Sequence, residues 1–556
     1  MDIFGTSITV MHEIYNITIF IRGVIADVKA YGPTKREIQD KLEHEFLFLK
    51  AFKAIFFDEE AVMRDGYLHA ALKNDVCNIL NALRKALTEY GMLAAKHGLL
   101  GIEYHLPDQA SDQSSSFSDR VKLRVKDLKR TIDWALFDKE KITKTLAEYS
   151  EWTGRLRQTM SLVLLTLSAL GNSPLGDFAK STRAKDMGLR HVIDRQILAT
   201  SKPPDDFHGL SGRIVEGSEL LHSSDMRTAE YEDDWGRLEA VVLEYRRYNR
   251  DLILATQFNL PNLDKVKEPV RNLAWILQNA SFTDAHDNEF SAATNRLSIY
   301  ALQCLGYIDQ PEHHRTILLY QLPRSRTLPT DPKILTLHDW INASDSQGLS
   351  GMPKPSLGNR FFLAYALCLT LLNIHCSGWV HKNISSRVTV IFPSARVTTH
   401  SKSPCCTPYL MGWGLSRPIT GGTDLTADTE VEPNFYRHPV RQGYPEAAFK
   451  VEHDIYAVGV VLLEIGLWKT VNHIFNVQIE KATKEGRLPP PGVIRDALVG
   501  KARTAIASEM GDSYARSVEK CLTGDFGVDN NDYNRTTLSA AFRSMVLDTI
   551  AVGMKL

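Results

Sequence analysis

Three short segments hold the residues whose types and spacing bear on chemistry: His381-Lys382-Asn383, then Gly412-Trp413-Gly414, then Asp454-Ile455-Tyr456-Ala457-Val458-Gly459. A group that takes a proton from a hydroxyl is usually a carboxylate or an imidazole. A magnesium site needs hard oxygen ligands, carboxylates above all. Asn383 offers an amide and Gly412 no side chain, so neither residue serves either task. Alone, each segment says little, since G-W-G is usually a turn. Their order, with a long apolar run before the first and another after the third, is what carries information.

Those runs are Ser356 to His375, which reads as a buried helix, and Ile455 to Leu467. Upstream of them, Ala240-Val241-Val242-Leu243, Leu302-Gln303-Cys304-Leu305 and Thr316 to Tyr320 have strand length and strand composition. Residues 1 to about 200 are proline-poor and helical in period. There Trp134, Phe137, Ile142, Leu146, Tyr149, Trp152 and Leu156 predict one long helix, with further stripes over Ile38 to Phe56 and Leu68 to Lys96. Ser201-Lys202-Pro203-Pro204-Asp205-Asp206 breaks the pattern. The organisation expected is a bundle of four or five helices over 1–200, a linker over 201–230, and a mixed domain over 231–556, strands first and helices after.

Bulk properties narrow the field. At 556 residues the chain exceeds a single core. A net charge of -1 gives no global pull toward nucleic acid or an anionic membrane. Seven scattered cysteines with no C-x-x-C pair argue for a reducing compartment and against a zinc site. The apolar N-terminus lacks a basic leader, which makes it a poor secretory signal. Glu13 and Arg22 interrupt it, so no constitutive transmembrane segment is expected there.

Gly378 to Ile384 resembles the end of the helix and the catalytic loop H-R-D-L-x-x-x-N of the protein kinases. Tyr409-Leu410-Met411 leading into Gly412-Trp413-Gly414 is similar to the strand before D-F-G. The resemblance implies that Asn383 stands for the catalytic aspartate, Val388 for the metal-binding asparagine and Gly412 for the metal-binding aspartate. His381 and Gly414 complete these degenerate loops. Pro439 keeps the proline of A-P-E, while Asp454 and Gly459 fit the core helix that anchors the catalytic loop. No G-x-G-x-x-G occurs, since Gly209, Gly212 and Gly217 are wrongly spaced for a phosphate loop. The V-A-I-K lysine falls within Val241 to Arg246, with Arg246 the nearest cation and a candidate nucleotide contact, and with Glu268 as a conceivable helix partner. The resemblance implies a pseudokinase that holds no metal and no cofactor.

Arg130-Thr131-Ile132-Asp133-Trp134-Ala135-Leu136-Phe137-Asp138 is similar to a segment of the fungal HeLo (prion-inhibition and propagation) domain, and Ile3-Phe4-Gly5 fits that family's start. The resemblance covers the first 200 residues and implies a cell-death bundle that acts at membranes once its first helix is released. Joined to a pseudokinase, it is similar in architecture to the mixed-lineage kinase domain-like proteins of animals. Arg120, Lys122, Arg124, Lys126, Lys129 and Arg130 offer a basic face, at about 1 kcal/mol per cation near an anionic leaflet. A solvated face paired with Asp119, Asp127 and Asp133 accounts for them equally well.

The fold class expected is therefore multidomain: an all-α HeLo-like bundle followed by an α+β bilobal kinase-like fold. The function expected is a non-catalytic cell-death or incompatibility effector that rests in the cytoplasm and acts at the plasma membrane. Its partners would be copies of itself, anionic lipids after activation and an unknown upstream activator, with no nucleic acid. Two rivals stand beside it: an atypical active kinase using ATP and magnesium, and a signalling scaffold.

Overall fold

The computed structural model describes residues 3–27, 34–57, 70–96, 137–168, 197, 202–215, 226–248, 250–258, 263–279, 299–322, 335–345, 353–393, 406–419, 421, 430–486, 489–528 and 536–554. The chain divides into two compact units, the first within Met1–Ile193 and the second taking most of the chain from Asp194 onward.

The first unit is helical. Its described helices are α1 (Ile3–Asp27), α2 (Thr34–Phe56), α3 (Ala70–Ala86), α4 (Thr88–Lys96) and α5 (Lys139–Ser168). On α1, Val10, Met11, Ile14, Ile17, Phe20, Ile21, Val24 and Ile25 recur at mostly three- and four-residue steps and are all buried. That stripe packs on α2, α3 and α4, while α5 packs on α2 and α3. The long helix predicted from Trp134 starts later, at Lys139. Its start is fixed by Asp138, whose side chain accepts from the Glu140 N–H at 3.1 Å and whose carbonyl accepts from Ile142 N–H at 2.9 Å, an N-cap. The Leu68-to-Lys96 stripe likewise resolves into two helices that part at Leu87.

Several polar groups buried inside this bundle are paired with one another. Arg157 donates to Glu45 Oε2 at 3.0 Å, Thr153 donates to the same oxygen at 2.6 Å, and the Arg157 guanidinium lies 4.4 Å from the centre of the Phe48 ring. The hydroxyls of Thr18 on α1 and Tyr149 on α5 share a hydrogen bond of 2.9 Å. At the bundle surface Arg22 pairs with Glu43, and Glu13 lies 3.5 Å from Arg84.

The second unit opens with an antiparallel five-stranded sheet in the order β1-β2-β3-β5-β4, built from β1 (Arg213–Val215), β2 (Met226–Glu232), β3 (Leu238–Arg247), β4 (Cys304–Gln310) and β5 (Arg315–Gln321). This corrects the linker expected over 201–230, because β1 and most of β2 lie inside it. The polar composition of β2 hides a period-2 pattern in which Ala229 and Tyr231 are buried and Glu230 is exposed. Those two residues join Val241, Leu243, Ile317 and Leu319 in one apolar cluster on one face of the sheet. Gly209 and Gly212 pack against strands rather than over a phosphate: a Cβ on Gly212 would lie 2.3 Å from the Glu232 carbonyl.

Beyond β3 come α6 (Arg250–Gln257) and α7 (Leu263–Asn279); beyond β5 come β6 (Leu335–Thr336), α8 (Leu337–Asp345), α9 (Leu357–Cys376), β7 (Trp379–Val380), β8 (Thr389–Pro393), β9 (Cys406–Leu410) and β10 (Arg417–Pro418). The sequence-predicted buried helix is α9, started by the Ser356 side chain accepting from Asn359 N–H. It packs against α11 (Val451–Leu467), which begins four residues before the expected Ile455 and follows the short α10 (Val431–Tyr436). Gly459 has a packing reason. A Cβ there would lie 2.7 Å from that of Cys521 on the Asp512–Thr523 helix.

Two described helices are long and apolar enough to cross a membrane by length and composition, over Ile8–Ile25 and over Leu357–Cys376. The first passes that test although it carries Glu13 and Arg22, whose charges argue in the sequence against a constitutive span. The second is mostly buried within its own unit.

Candidate functional site

Asp454 sits in the first turn of α11, fully buried. Its carboxylate accepts from His381 N–H at 2.8 Å and Lys382 N–H at 2.9 Å, and His375 Nε2 lies 3.2 Å away. Burial by itself pushes this carboxyl up. The hydrogen bond and charge of His375, with the His381 N–H, outweigh burial and hold it below the usual carboxylate range. The two amide bonds fix Lys382 at φ 72°, a left-handed conformation that costs a non-glycine residue roughly 1–2 kcal/mol. Asp454 thus shapes the 381–383 loop through its backbone.

His381 is fully buried, its ring edge-on to Trp413 at 4.8 Å between centroids. Burial drags its pKa down to about 4, so the imidazole is neutral at physiological pH. The Asn383 N–H donates to His381 Nδ1 at 3.3 Å, which leaves the ring proton on Nε2.

Asn383, Val388 and Gly412 converge. Gly412 adopts φ 81°, and a Cβ there would lie 2.8 Å from Asn383 Nδ2 and 2.9 Å from Val388 Cγ1. An amide and a valine fill the space an aspartate at 412 would need. No carboxylate oxygen or other hard ligand comes from these three residues, and among the described residues no group of three or more His, Cys, Asp or Glu gathers that could hold a metal ion.

One carboxylate does reach the segment, and the sequence reading missed it. Glu244 on β3 is buried; its Oε1 accepts from Gly414 N–H at 2.7 Å, and its Oε2 from Gly412 N–H at 3.1 Å, Trp413 N–H at 3.3 Å and Tyr320 Oη–H at 3.1 Å. Burial pushes the Glu244 carboxyl up; the N–H of Gly414, the Tyr320 hydroxyl and the other two amides oppose that shift. The available signal was a lone charge in the apolar run Ala240 to Tyr245, on the strand face opposite Val241 and Leu243.

Arg246 lies two residues on along the same strand face and lines the cleft with Lys382, Asn383 and Gly414. Burial lowers its pKa and the Glu244 charge opposes that shift. Glu268, on α7, pairs with Lys202 at 3.5 Å, so the Arg246 partnership entertained for it is replaced by another cation. Pro439 begins a short helical turn over Pro439–Arg441. A second carboxyl, on α11, is fully buried. That group is Glu464, which accepts from Tyr436 Oη–H at 2.7 Å and Val471 N–H at 2.9 Å; Tyr436 in turn bonds Ser386 at 3.1 Å. Burial raises Glu464 to about 7.

In the bundle, Phe137 is buried, with its ring edge-on to Phe20 and Tyr90 at 6.1 and 5.4 Å. Ile3 and Phe4 lie in the first turn of α1, and their side chains fall outside the described residues, as do Arg120, Lys122, Arg124, Lys126, Lys129, Arg130 and Trp134. Compared with known proteins, the chain matches no family model and no curated protein sequence.

Proposed function

We propose that this chain is a non-catalytic effector in which a HeLo-like, membrane-acting bundle is governed by a kinase-like unit that works through shape. The observation that carries the reading is the packing of Asn383 and Val388 against Gly412. In the kinase pattern those three places hold a proton-accepting aspartate, a magnesium-binding asparagine and a magnesium-binding aspartate, and side chains that serve none of these roles occupy the space. Asp454, the nearby acid, spends both oxygens on the backbone of the 381–383 loop. Such an arrangement suits a module that presents a fixed surface to an activator.

On the bundle side, support comes from the apolar character of α1 and from how it is held. Eight buried apolar side chains, at about 1.5 kcal/mol each, make its withdrawal into water costly by roughly 12 kcal/mol. Withdrawal becomes feasible where an apolar phase receives the helix. Release in the cytoplasm is therefore coupled to insertion at the plasma membrane, with anionic lipid and further copies of the chain as partners. Expression of residues 1–200 against the full chain, scored for cell death, tests this. Death from the bundle alone, restrained or triggered by the second unit, is the expected outcome; an inert bundle beside a full chain that phosphorylates a protein substrate would replace it with the atypical kinase.

A further inference from the structure

We propose that the Gly412–Gly414 segment is a backbone anion site whose resident ligand is the chain's own Glu244 carboxylate, which closes the cleft at that point to phosphate- and carboxylate-bearing small molecules. Three successive amide N–H groups and the Tyr320 hydroxyl converge on the two Glu244 oxygens, at 2.7 to 3.3 Å. Consecutive backbone N–H groups arranged this way form a concavity that binds anions. Four donors on one carboxylate leave no polar group of the segment waiting for an external anion.

The glycines at both ends of Gly412-Trp413-Gly414 then have a shared purpose. Gly412 supplies the left-handed φ of 81° that turns its own N–H and those after it toward β3. Gly414 lets the carboxylate approach, since a Cβ there would sit 3.2 Å from Glu244 Oε1. A side chain at either place would disturb the cradle. Glu244 also ties the sheet to the segment that follows β9, so the same contact fixes the two parts of the unit against each other. An incoming phosphate would have to displace a carboxyl group already bonded to these donors.

The inference rests on this geometry alone, so it can fail while the membrane reading of the bundle stands. Its test is chemical rescue in the full-length protein. Glu244→Ala leaves three buried N–H groups without an acceptor and is expected to lower the melting temperature by on the order of 5 °C. Sodium formate at tens of millimolar should restore much of that loss relative to sodium chloride at equal ionic strength, with no comparable effect on the wild type. Formate no better than chloride would overturn the proposal. Should the alanine variant fail to fold, Glu244→Gln keeps the volume and loses the charge. Amide exchange at 412–414 should then quicken roughly tenfold or more relative to the wild type, and unchanged exchange would overturn the proposal. In the wild type, a change in the exchange of these amides on adding inorganic phosphate or magnesium ATP would also contradict it.

Discussion

The bundle and the cleft each bury carboxylates, and they use them in opposite ways. In the bundle, Glu45 is compensated by another side chain, the Arg157 guanidinium, with Thr153 as a second partner. In the cleft, Asp454 and Glu244 bond chiefly to main-chain N–H groups. A side-chain pair joins two helices whose own backbones are already satisfied. A carboxylate bonded to main chain dictates the conformation of a loop that has no ladder of its own. The first kind of contact can be exchanged for apolar packing; the second kind cannot, because its partner is present whatever the sequence. The cleft holds a detailed backbone shape through buried acids bonded to main chain.

The sharpest way to break this contrast is Asp454→Ala. It strips acceptors from two buried amides and from His375, and should cost about 3–5 kcal/mol in urea unfolding of the full chain. In the bundle, Arg157→Ala should cost a similar 3–5 kcal/mol by leaving Glu45 uncompensated, yet Glu45→Met with Arg157→Leu should come within about 1 kcal/mol of the wild type or exceed it. A double variant as unstable as the single one would erase the distinction.

A third change addresses pH. Glu464 holds its proton to about pH 7 because burial disfavours the ionised form, whereas the unfolded chain releases it near pH 4.5. Its folded pKa is raised, so the stability it contributes is fully present below pH 4.5 and is lost as pH rises through 7. The loss should amount to about 3 kcal/mol, seen as a fall in melting temperature between pH 5 and 8 that Glu464→Gln flattens. A wild type with no such slope would place the proton elsewhere. Gly412→Ala comes next, with a loss of about 2 kcal/mol from left-handed strain and contact with Asn383 and Val388. Thr18→Val should have the smallest effect, about 1 kcal/mol, by unmaking the hydroxyl pair between α1 and α5.

These residues also show what the sequence could reveal. Helical stripes and long apolar runs are periodic over many residues, so α2, α9 and most of α11 were legible in it. The segments around Asn383 and Gly412 stood out in it by their order, while the meeting of Asn383, Val388 and Gly412 came only from the fold. The α5 start was displaced because Asp138 caps the helix and periodicity does not see a cap. Strand β2 passed for linker because alternation over seven polar-rich residues is a short signal. Glu244 was invisible as an anchor because its partners are main-chain amides 168 to 170 residues away. Nothing in the side-chain sequence reports such a partner.

Dye release from liposomes containing anionic lipid tests the central claim most directly, that the bundle acts on membranes and the kinase-like unit acts without catalysis. Residues 1–200 should release dye, residues 23–200 should not, and neither magnesium ATP nor its absence should change what the full chain does. Intact liposomes with residues 1–200, or release by the full chain that requires magnesium ATP, would contradict it.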